Sequence, residues 1–261
     1  MKLDKRPTER QARSRPLLGL TSLLVLWLAL SAAIGPRLLP WPWQVAAAFA
    51  AHFWPTLLRH MLASLLRALA GVALAVAAGA PLGILMGTNP RCDRIFSPLA
   101  YLLYPIPKVA LLPLLLVVLG LGEGSKLLLM FLILFFQVLV ASRDAVRGIE
   151  RQYVFSLDSL APTPWQQFRY LYIPYALPGI FGSVRVGTGT ALAVLFFAEN
   201  YGTRWGIGYY IMDRWMRFMY PEMFAGIVGL ALLGLGLFRA LDRLERLVCP
   251  WRTTGQTTKT T

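Results

Sequence analysis

Four ionisable side chains lie within or at the end of long apolar runs, where a charge has large energetic consequences. They are Arg67, Lys108, Arg185 and Glu199. A lone charge in membrane hydrocarbon costs at least roughly 2.5 kcal/mol, so such residues usually face a partner or a water-filled path. We therefore predict that these four residues line a path for a solute. Three of them are cationic, which favours an anionic solute.

Three of these residues also have a purely structural alternative. Lys108 could extend its long side chain to the membrane surface. Arg185 and Glu199 could pair with each other or cap helix ends. The sequence leaves both alternatives open.

No pattern for covalent chemistry occurs in the sequence. It lacks HExxH, a nucleophile elbow and an evident pair of catalytic carboxylates. GLGEGS at 120–125 does not match a phosphate-binding GxxxxGK[ST] loop. His52 and His60 are eight residues apart, and Cys92 and Cys249 lack CxxC spacing. We expect no enzyme activity, metal site or cofactor in this chain.

Composition indicates an integral membrane protein. Hydrophobic residues make up 57% of the 261 positions, above the roughly 45–50% of a soluble domain. The net charge of +14 could also indicate a nucleic-acid partner. However, the basic residues lie in short flanks of apolar runs and form no continuous basic stretch, so we expect no nucleic acid.

Six apolar segments are long enough to be predicted as membrane spans. They are residues 16–34, 57–87, 98–121, 126–141, 177–198 and 223–238. The predicted domains are a basic N-terminus at 1–16, a membrane domain at 17–252 and a disordered Thr-rich tail at 253–261. The alternative for the first segment is a cleaved signal peptide, with small residues at 31–33.

The distribution of basic residues orients these segments. Of the 26 Lys and Arg residues, 17 fall in the N-terminus, the C-terminus and the connections 88–97 and 142–176, whereas five fall in the other connections. Basic connections stay on the cytoplasmic side. The sequence therefore predicts six spans with both termini inside.

Two local patterns predict how the spans pack. Small residues recur every four positions on one face of the second span, at Gly71, Ala75, Gly79, Gly83 and Gly87, which permits close approach of another helix. In the third span, Pro105, Pro107 and Pro113 predict a bent or broken helix, since proline removes backbone donors. Broken helices in transporters line the solute path.

The connection 142–178 is the long polar segment between spans four and five. Its residues 155–172 show apolar positions at helical spacing and predict one amphipathic helix. A second amphipathic helix is predicted in the outer connection 200–222, with Ile207, Ile211, Trp215 and Phe218 on one face and an Asp213–Arg217 pair on the other. A cytoplasmic helix with one apolar stripe indicates a soluble docking partner.

Several stretches resemble the membrane permease subunits of bacterial ABC importers for nitrate, sulfonates, taurine and related molecules. They are PIPKVALLP at 105–113, WQQFRYLYIPYALPGIF at 165–181, FFAEN at 196–200 and GIGYYI at 206–211. The resemblance covers about 17–251. It implies an all-α membrane fold of six transmembrane helices, both termini inside, with a cytoplasmic coupling helix between spans four and five.

The family's coupling loop has the pattern EAA, three residues, Gly, nine residues, then I-x-L-P. Its closing element matches Leu171, Ile173 and Pro174, whereas Phe155, Ser156, Leu157 and Ala161 replace the Glu, the two Ala and the Gly. The resemblance implies coupling roles for these residues and for Trp165 and Phe168. The departure indicates either an ATPase with a matching altered groove or the weaker half of a heterodimeric permease.

The resemblance also implies the partners. They are a cytoplasmic ABC ATPase dimer that holds ATP and Mg²⁺, a second permease subunit, an external solute-binding protein and the lipid of the bacterial inner membrane. The classes kept open beside this importer are an ATP-independent carrier or channel, a membrane-embedded enzyme and a sensor.

Overall fold

The computed structural model describes residues 9–251, with side chains from Leu18 onward. Across this range the regular structure is helical, which confirms the predicted all-α class. The helices are α1 (Glu9–Ile34), α2 (Pro42–His52), α3 (Leu58–Thr88), α4 (Pro90–Leu103), α5 (Leu112–Leu119), α6 (Glu123–Arg147), α7 (Arg151–Asp158), α8 (Pro164–Gln167), α9 (Ile173–Ala198), α10 (Ile207–Met216) and α11 (Tyr220–Val248). The predicted tail at 253–261 and residues 1–8 of the basic N-terminus lie outside the described residues.

Within residues 9–251, four helical stretches are long and apolar enough to cross a membrane. They are Pro42–Thr88, Glu123–Arg147, Pro164–Ala198 and Tyr220–Val248. A fifth span results if the bent pair Pro90–Leu103 and Lys108–Leu119 is counted as one. The first predicted span corresponds to α1, whose apolar part, Leu18–Ile34, is shorter.

The predicted break in the third span is confirmed. Helix α4 ends at Leu103, a 3₁₀ turn covers Lys108–Leu111, and the chain direction changes by 84° between the two halves. Pro105 and Pro107 occupy the gap and cannot supply the backbone donors that a continuous helix needs. Pro113 lies in the first turn of α5, where a proline is tolerated.

The small-residue stripe of α3 lies against α6, as predicted. A Cβ added at Gly71 would come within 2.6 Å of the Met130 Cβ, and one at Gly87 within 2.7 Å of the Val146 Cβ. At Gly83 it would collide with the carbonyl oxygen of Leu139. These positions accept no side chain without displacement of the neighbouring helix, and the two backbones approach closely along this seam.

Helix α10 matches the predicted outer amphipathic helix in part. Ile207 and Ile211 are buried, whereas Trp215 and Phe218 are mostly exposed, so the predicted apolar face is only half covered. The Asp213–Arg217 pair is present at 2.9 Å. Tyr210 lies under the Arg214 guanidinium, and burial raises the pKa of its phenol, which is therefore neutral.

The predicted single helix at 155–172 is wrong. Helix α7 ends at Asp158, and α8 begins at Pro164 after Thr163 caps it. Pro162 and Pro164 disfavour helical backbone at the residues before them. Between the helices, Ala161 adopts a positive φ of 48°. The connection is therefore a helix, a tight turn and a second helix.

We expect Ala161→Gly to stabilise the protein. A left-handed backbone costs a residue with a Cβ roughly 1–2 kcal/mol, and the greater freedom of glycine in the unfolded chain offsets part of this, leaving a gain of about 0.5–1 kcal/mol. Thermal unfolding of the purified protein measures the gain. Ala141→Gly, inside α6, is the control and should lose about 0.5–1 kcal/mol. Equal losses for both variants would contradict the strain at Ala161.

Candidate functional site

A cavity of about 250 Å³ lies at the break between α4 and α5 and is closed by α6 and α9. Its polar lining comes from Lys108, Gln137 and Thr190, and its aromatic lining from Tyr104 and Phe136. The proline-rich break positions Lys108, since a continuous helix would leave no gap there. A concave site with apolar walls and a few convergent polar groups has the usual character of a small-molecule site.

The Lys108 ammonium is held by the end of α4. It donates to the carbonyl oxygens of Leu103, at 2.9 Å, and Tyr104. It also lies 5.2 Å from the ring centre of Phe136 and 5.4 Å from that of Tyr104. Helix C-termini and aromatic faces both stabilise a cation. No Asp or Glu among the described residues forms an ion pair with Lys108.

Gln137 reaches the cavity because α9 has a glycine opposite it. A Cβ at Gly187 would overlap the Gln137 side-chain oxygen. The small residue therefore lets the amide lie between α6 and α9 while lining the cavity. An amide, a hydroxyl and an ammonium in one cavity can together bind the oxygens of a small anion.

Arg67 and Glu199 form a separate, buried ion pair. Glu199 is 0% exposed. It accepts hydrogen bonds from Arg67 Nη1 at 2.7 Å, Ser64 Oγ at 2.7 Å and the Gly208 backbone N–H at 2.8 Å. Arg67 also donates to both carboxylate oxygens of Glu123, at 2.5 and 2.7 Å. This satisfied arrangement makes a buried pair tolerable.

The same side chains of α3 hold the turn that leads into α10. Arg67 Nη1 donates to the carbonyl oxygen of Trp205 at 2.7 Å, and Ser64 Oγ accepts from the Ile207 backbone N–H at 2.8 Å. His60 Nδ1 lies 3.1 Å from the Gly206 nitrogen. We call residues 199–208 the anchored turn. The backbone groups of residues 205–207 are satisfied by side chains of α3, which fixes this part of the turn against the bundle.

Arg185 pairs with α11. Its guanidinium contacts Asp242 and lies 2.6 Å from the Glu245 carboxylate. The predicted alternative pairing of Arg185 with Glu199 is wrong. These two residues are separated by 14 positions along α9, or about 21 Å at the helical rise, so their side chains cannot meet. Of the four predicted path residues, Lys108 is the one that lines the cavity described above.

The predicted coupling residues lie on or just below one surface. Phe155 is 67% exposed and Trp165 65% exposed, and the Trp165 ring stacks on Phe168. Phe168 and Ile173 pack inward against the buried cluster of α3, α6 and α9. Ser156 and Ala161 are exposed, while Leu157, Leu171 and Pro174 are half-buried. We call residues 150–174 the coupling segment.

Sequence reasoning did not identify several residues that the structure brings together. Asp93 at the start of α4 pairs with Arg143 and Arg147 at the end of α6, each at 2.6 Å. In the sequence, those arginines count only among the basic residues that orient the connection 142–176. Asp93 is the one acid in the connection 88–97, a signal that could have indicated the contact. The contacts of Ser64, Glu123 and Gln137 had no comparable signal.

A multi-pass helical bundle with a lysine-bearing cavity at a helix break is typical of membrane transport proteins. The family described as "Binding-protein-dependent transport system inner membrane component" matches residues 79–251. The chain belongs to this family, and the resemblance noted in its sequence is confirmed.

Three relatives illustrate the similarity. The taurine transport system permease protein TauC of Escherichia coli is 31% identical over 240 residues, covering 89% of this chain and 87% of that protein. The formylaminopyrimidine transport permease protein ThiX of Halalkalibacterium halodurans is 31% identical, with coverages of 91% and 95%. The putative aliphatic sulfonates transport permease protein SsuC of Bacillus subtilis is 32% identical, with coverages of 74% and 70%. All three are named as transport permeases.

A solved structure shares the fold. The MetNI methionine ABC transporter, in an inward-facing conformation, matches with a TM-score of 0.61 and 21% sequence identity. The match covers 72% of this chain and 93% of that chain. At this identity the likeness establishes the fold alone.

Proposed function

We propose that this chain is the permease subunit of an ATP-driven importer and that the Lys108 cavity is part of its path for a small anion. The observation that carries the proposal is a half-buried ammonium without an acidic partner among the described residues, lining a cavity at a helix break. Relatives named for taurine, aliphatic sulfonates and bicarbonate support an acidic solute. The relative named for formylaminopyrimidine shows that family membership alone does not determine the charge of the transported solute.

The proposed topology has six spans: α1, α3, the α4–α5 pair, α6, α9 and α11. The excess of basic residues in alternate connections supports a cytoplasmic location for both termini and the coupling segment. The protein is then a multi-pass component of the bacterial inner membrane. A solute-binding protein delivers the solute on the outer side, near the anchored turn and α10.

We further propose that two ATPase subunits, which hold ATP and Mg²⁺, dock on the coupling segments of two permease subunits. Exposed aromatic side chains support docking at this segment, since Phe155, Trp165 and Tyr170 are all mostly exposed to solvent. Aromatic side chains of this kind often contribute most of the binding free energy of a protein interface. ATP-driven closure of the ATPases moves these segments, and the rigid connection through Phe168 and Ile173 into the bundle transmits the movement to α9.

Arg67, Glu199 and Arg185, the other predicted path residues, are proposed to affect transport indirectly. They hold a turn and two helices in place and do not contact the solute. Arg67 and Glu199 fix the anchored turn at the outer mouth. Arg185 joins α9 to α11. A change at any of them would alter the alternation between outward and inward access without touching the solute in the Lys108 cavity.

We expect Lys108→Ala to lower uptake by about tenfold or more, because a hydrogen bond to a charged group contributes roughly 1.5–3 kcal/mol. Uptake of labelled taurine, an alkanesulfonate and bicarbonate is measured in proteoliposomes that contain the permease, its ATPase and its solute-binding protein. Lys108→Arg keeps the charge and should retain most of the activity. Wild-type uptake by Lys108→Ala would contradict the anion site, and uptake without ATP would contradict the importer.

A further inference from the structure

A second, entirely apolar groove lies between α3 and α11. It has a volume of about 440 Å³, and its lining consists of leucine, methionine, alanine and glycine side chains from Leu58 to Leu69 and from Leu232 to Ala240. Leu62, Leu69 and Leu232 are each nearly half exposed. No polar group in this lining could bind a hydrophilic solute, so the groove is not part of the path described above.

The length of the groove matches one leaflet of a bilayer. Its α3 wall runs from Leu58 to Leu69, about 16 Å at the helical rise, which is half of a hydrocarbon core of roughly 30 Å. Spread over that length, the groove has a mean cross-section of about 27 Å². A thin, flexible chain therefore fits inside the groove along its whole length.

A free cation lies at one end of the groove. Arg59 lies in the first turn of α3, next to Leu58 and three residues before Leu62, both of which line the groove. Its side chain is exposed, and it forms no ion pair with any acid in the described part of the chain. Trp54, five residues earlier, is 75% exposed. An exposed tryptophan beside an arginine at a helix end is typical of the lipid headgroup level.

We propose that this groove binds one acyl chain of a phospholipid whose phosphate is held by Arg59. The charge at the mouth, the apolar lining and the depth of one leaflet together match a phospholipid and no simpler apolar ligand. The bound lipid fills the space between α3, which carries the anchored-turn contacts, and α11, which carries the partners of Arg185. It therefore supports the packing of both helices.

Gly236 permits a sharp test. It lines the groove, and a Cβ added there meets nothing within 4 Å, so Gly236→Leu introduces a side chain into the groove from a position with room for its Cβ. Gly182→Leu on α9 is the matched control, because a Cβ there also meets nothing within 4 Å. Arg59→Gln tests the phosphate contact. Binding of phosphatidylglycerol and of diacylglycerol to the full-length protein in detergent is measured by native mass spectrometry.

The wild-type protein and Gly182→Leu should each retain one phosphatidylglycerol. Gly236→Leu should weaken its binding more than about tenfold, since each excluded methylene removes a large part of the apolar stabilisation. Arg59→Gln should weaken it about fivefold and leave diacylglycerol unchanged. Equal lipid retention in Gly236→Leu and wild type would overturn the proposal. So would unchanged phosphatidylglycerol binding in Arg59→Gln, or a changed oligomer mass in Gly236→Leu with unchanged lipid content.

Discussion

Arg67→Met is expected to destabilise the protein by roughly 3–5 kcal/mol, because it removes one partner of a buried ion pair. Glu199 is 0% exposed. Without the guanidinium its carboxylate keeps only the Ser64 hydroxyl and the Gly208 N–H, at 2.7 and 2.8 Å. Two neutral donors do not compensate a full charge in the interior. The midpoint of thermal unfolding in detergent measures the loss.

The matched control is the exposed pair of α10. Arg217 is 63% exposed and pairs with Asp213 at i,i+4, so Arg217→Met should cost only about 0.3–0.5 kcal/mol. The double variant Arg67→Met with Glu199→Gln should be more stable than Arg67→Met alone, since it also removes the stranded charge. If Arg67→Met is no more damaging than Arg217→Met, the buried pair does not hold the anchored turn.

The second large effect is expected at the coupling segment. Trp165→Glu should abolish ATP-driven uptake and the stimulation of ATP hydrolysis, because it places a carboxylate at an exposed aromatic anchor. Truncation of such an anchor typically costs at least about 2 kcal/mol of binding free energy. Trp165 is 65% exposed, so the variant should fold normally. Co-purification with the ATPase, uptake and ATP hydrolysis provide three separate measurements.

Trp165→Phe keeps an aromatic ring and should preserve most of the coupling. Phe168→Glu is a less clean test, because Phe168 packs against the buried cluster of the bundle and a charge there also disturbs folding. Normal ATPase binding and normal stimulation in Trp165→Glu would show that the partner docks elsewhere.

Helix α3 contacts three of the regions described above. Its glycine face lies against α6, its polar residues Ser64 and Arg67 hold the anchored turn, and its leucine face lines the apolar groove with α11. The α3–α6 pair therefore carries the outer mouth, and Arg185 joins α11 to α9 in the same bundle. Close helix packing of this kind transmits small shifts with little loss.

Much of the fold could be predicted from the sequence. The apolar runs, the break at Pro105 and Pro107, and the glycine face of α3 depend on composition and on the 3.6-residue period, which are local properties. The coupling segment shows the limit of such patterns. Apolar positions at helical spacing indicated one helix, but Pro162 and Pro164 interrupt it and place Ala161 in a left-handed turn.

By itself, the sequence determined the membrane class, the long helices, the broken span and the set of charged residues to consider. Only the tertiary structure decided which charges meet. Arg67 and Glu199 are 132 positions apart, and Arg185 and Glu245 are 60 apart, so their pairing depends on which helices lie side by side. Likewise, Lys108 shares a cavity with Gln137 and Thr190 because α4, α6 and α9 converge there. The physical reason is that helical periodicity specifies the face on which a side chain lies, while packing in three dimensions specifies what that face contacts.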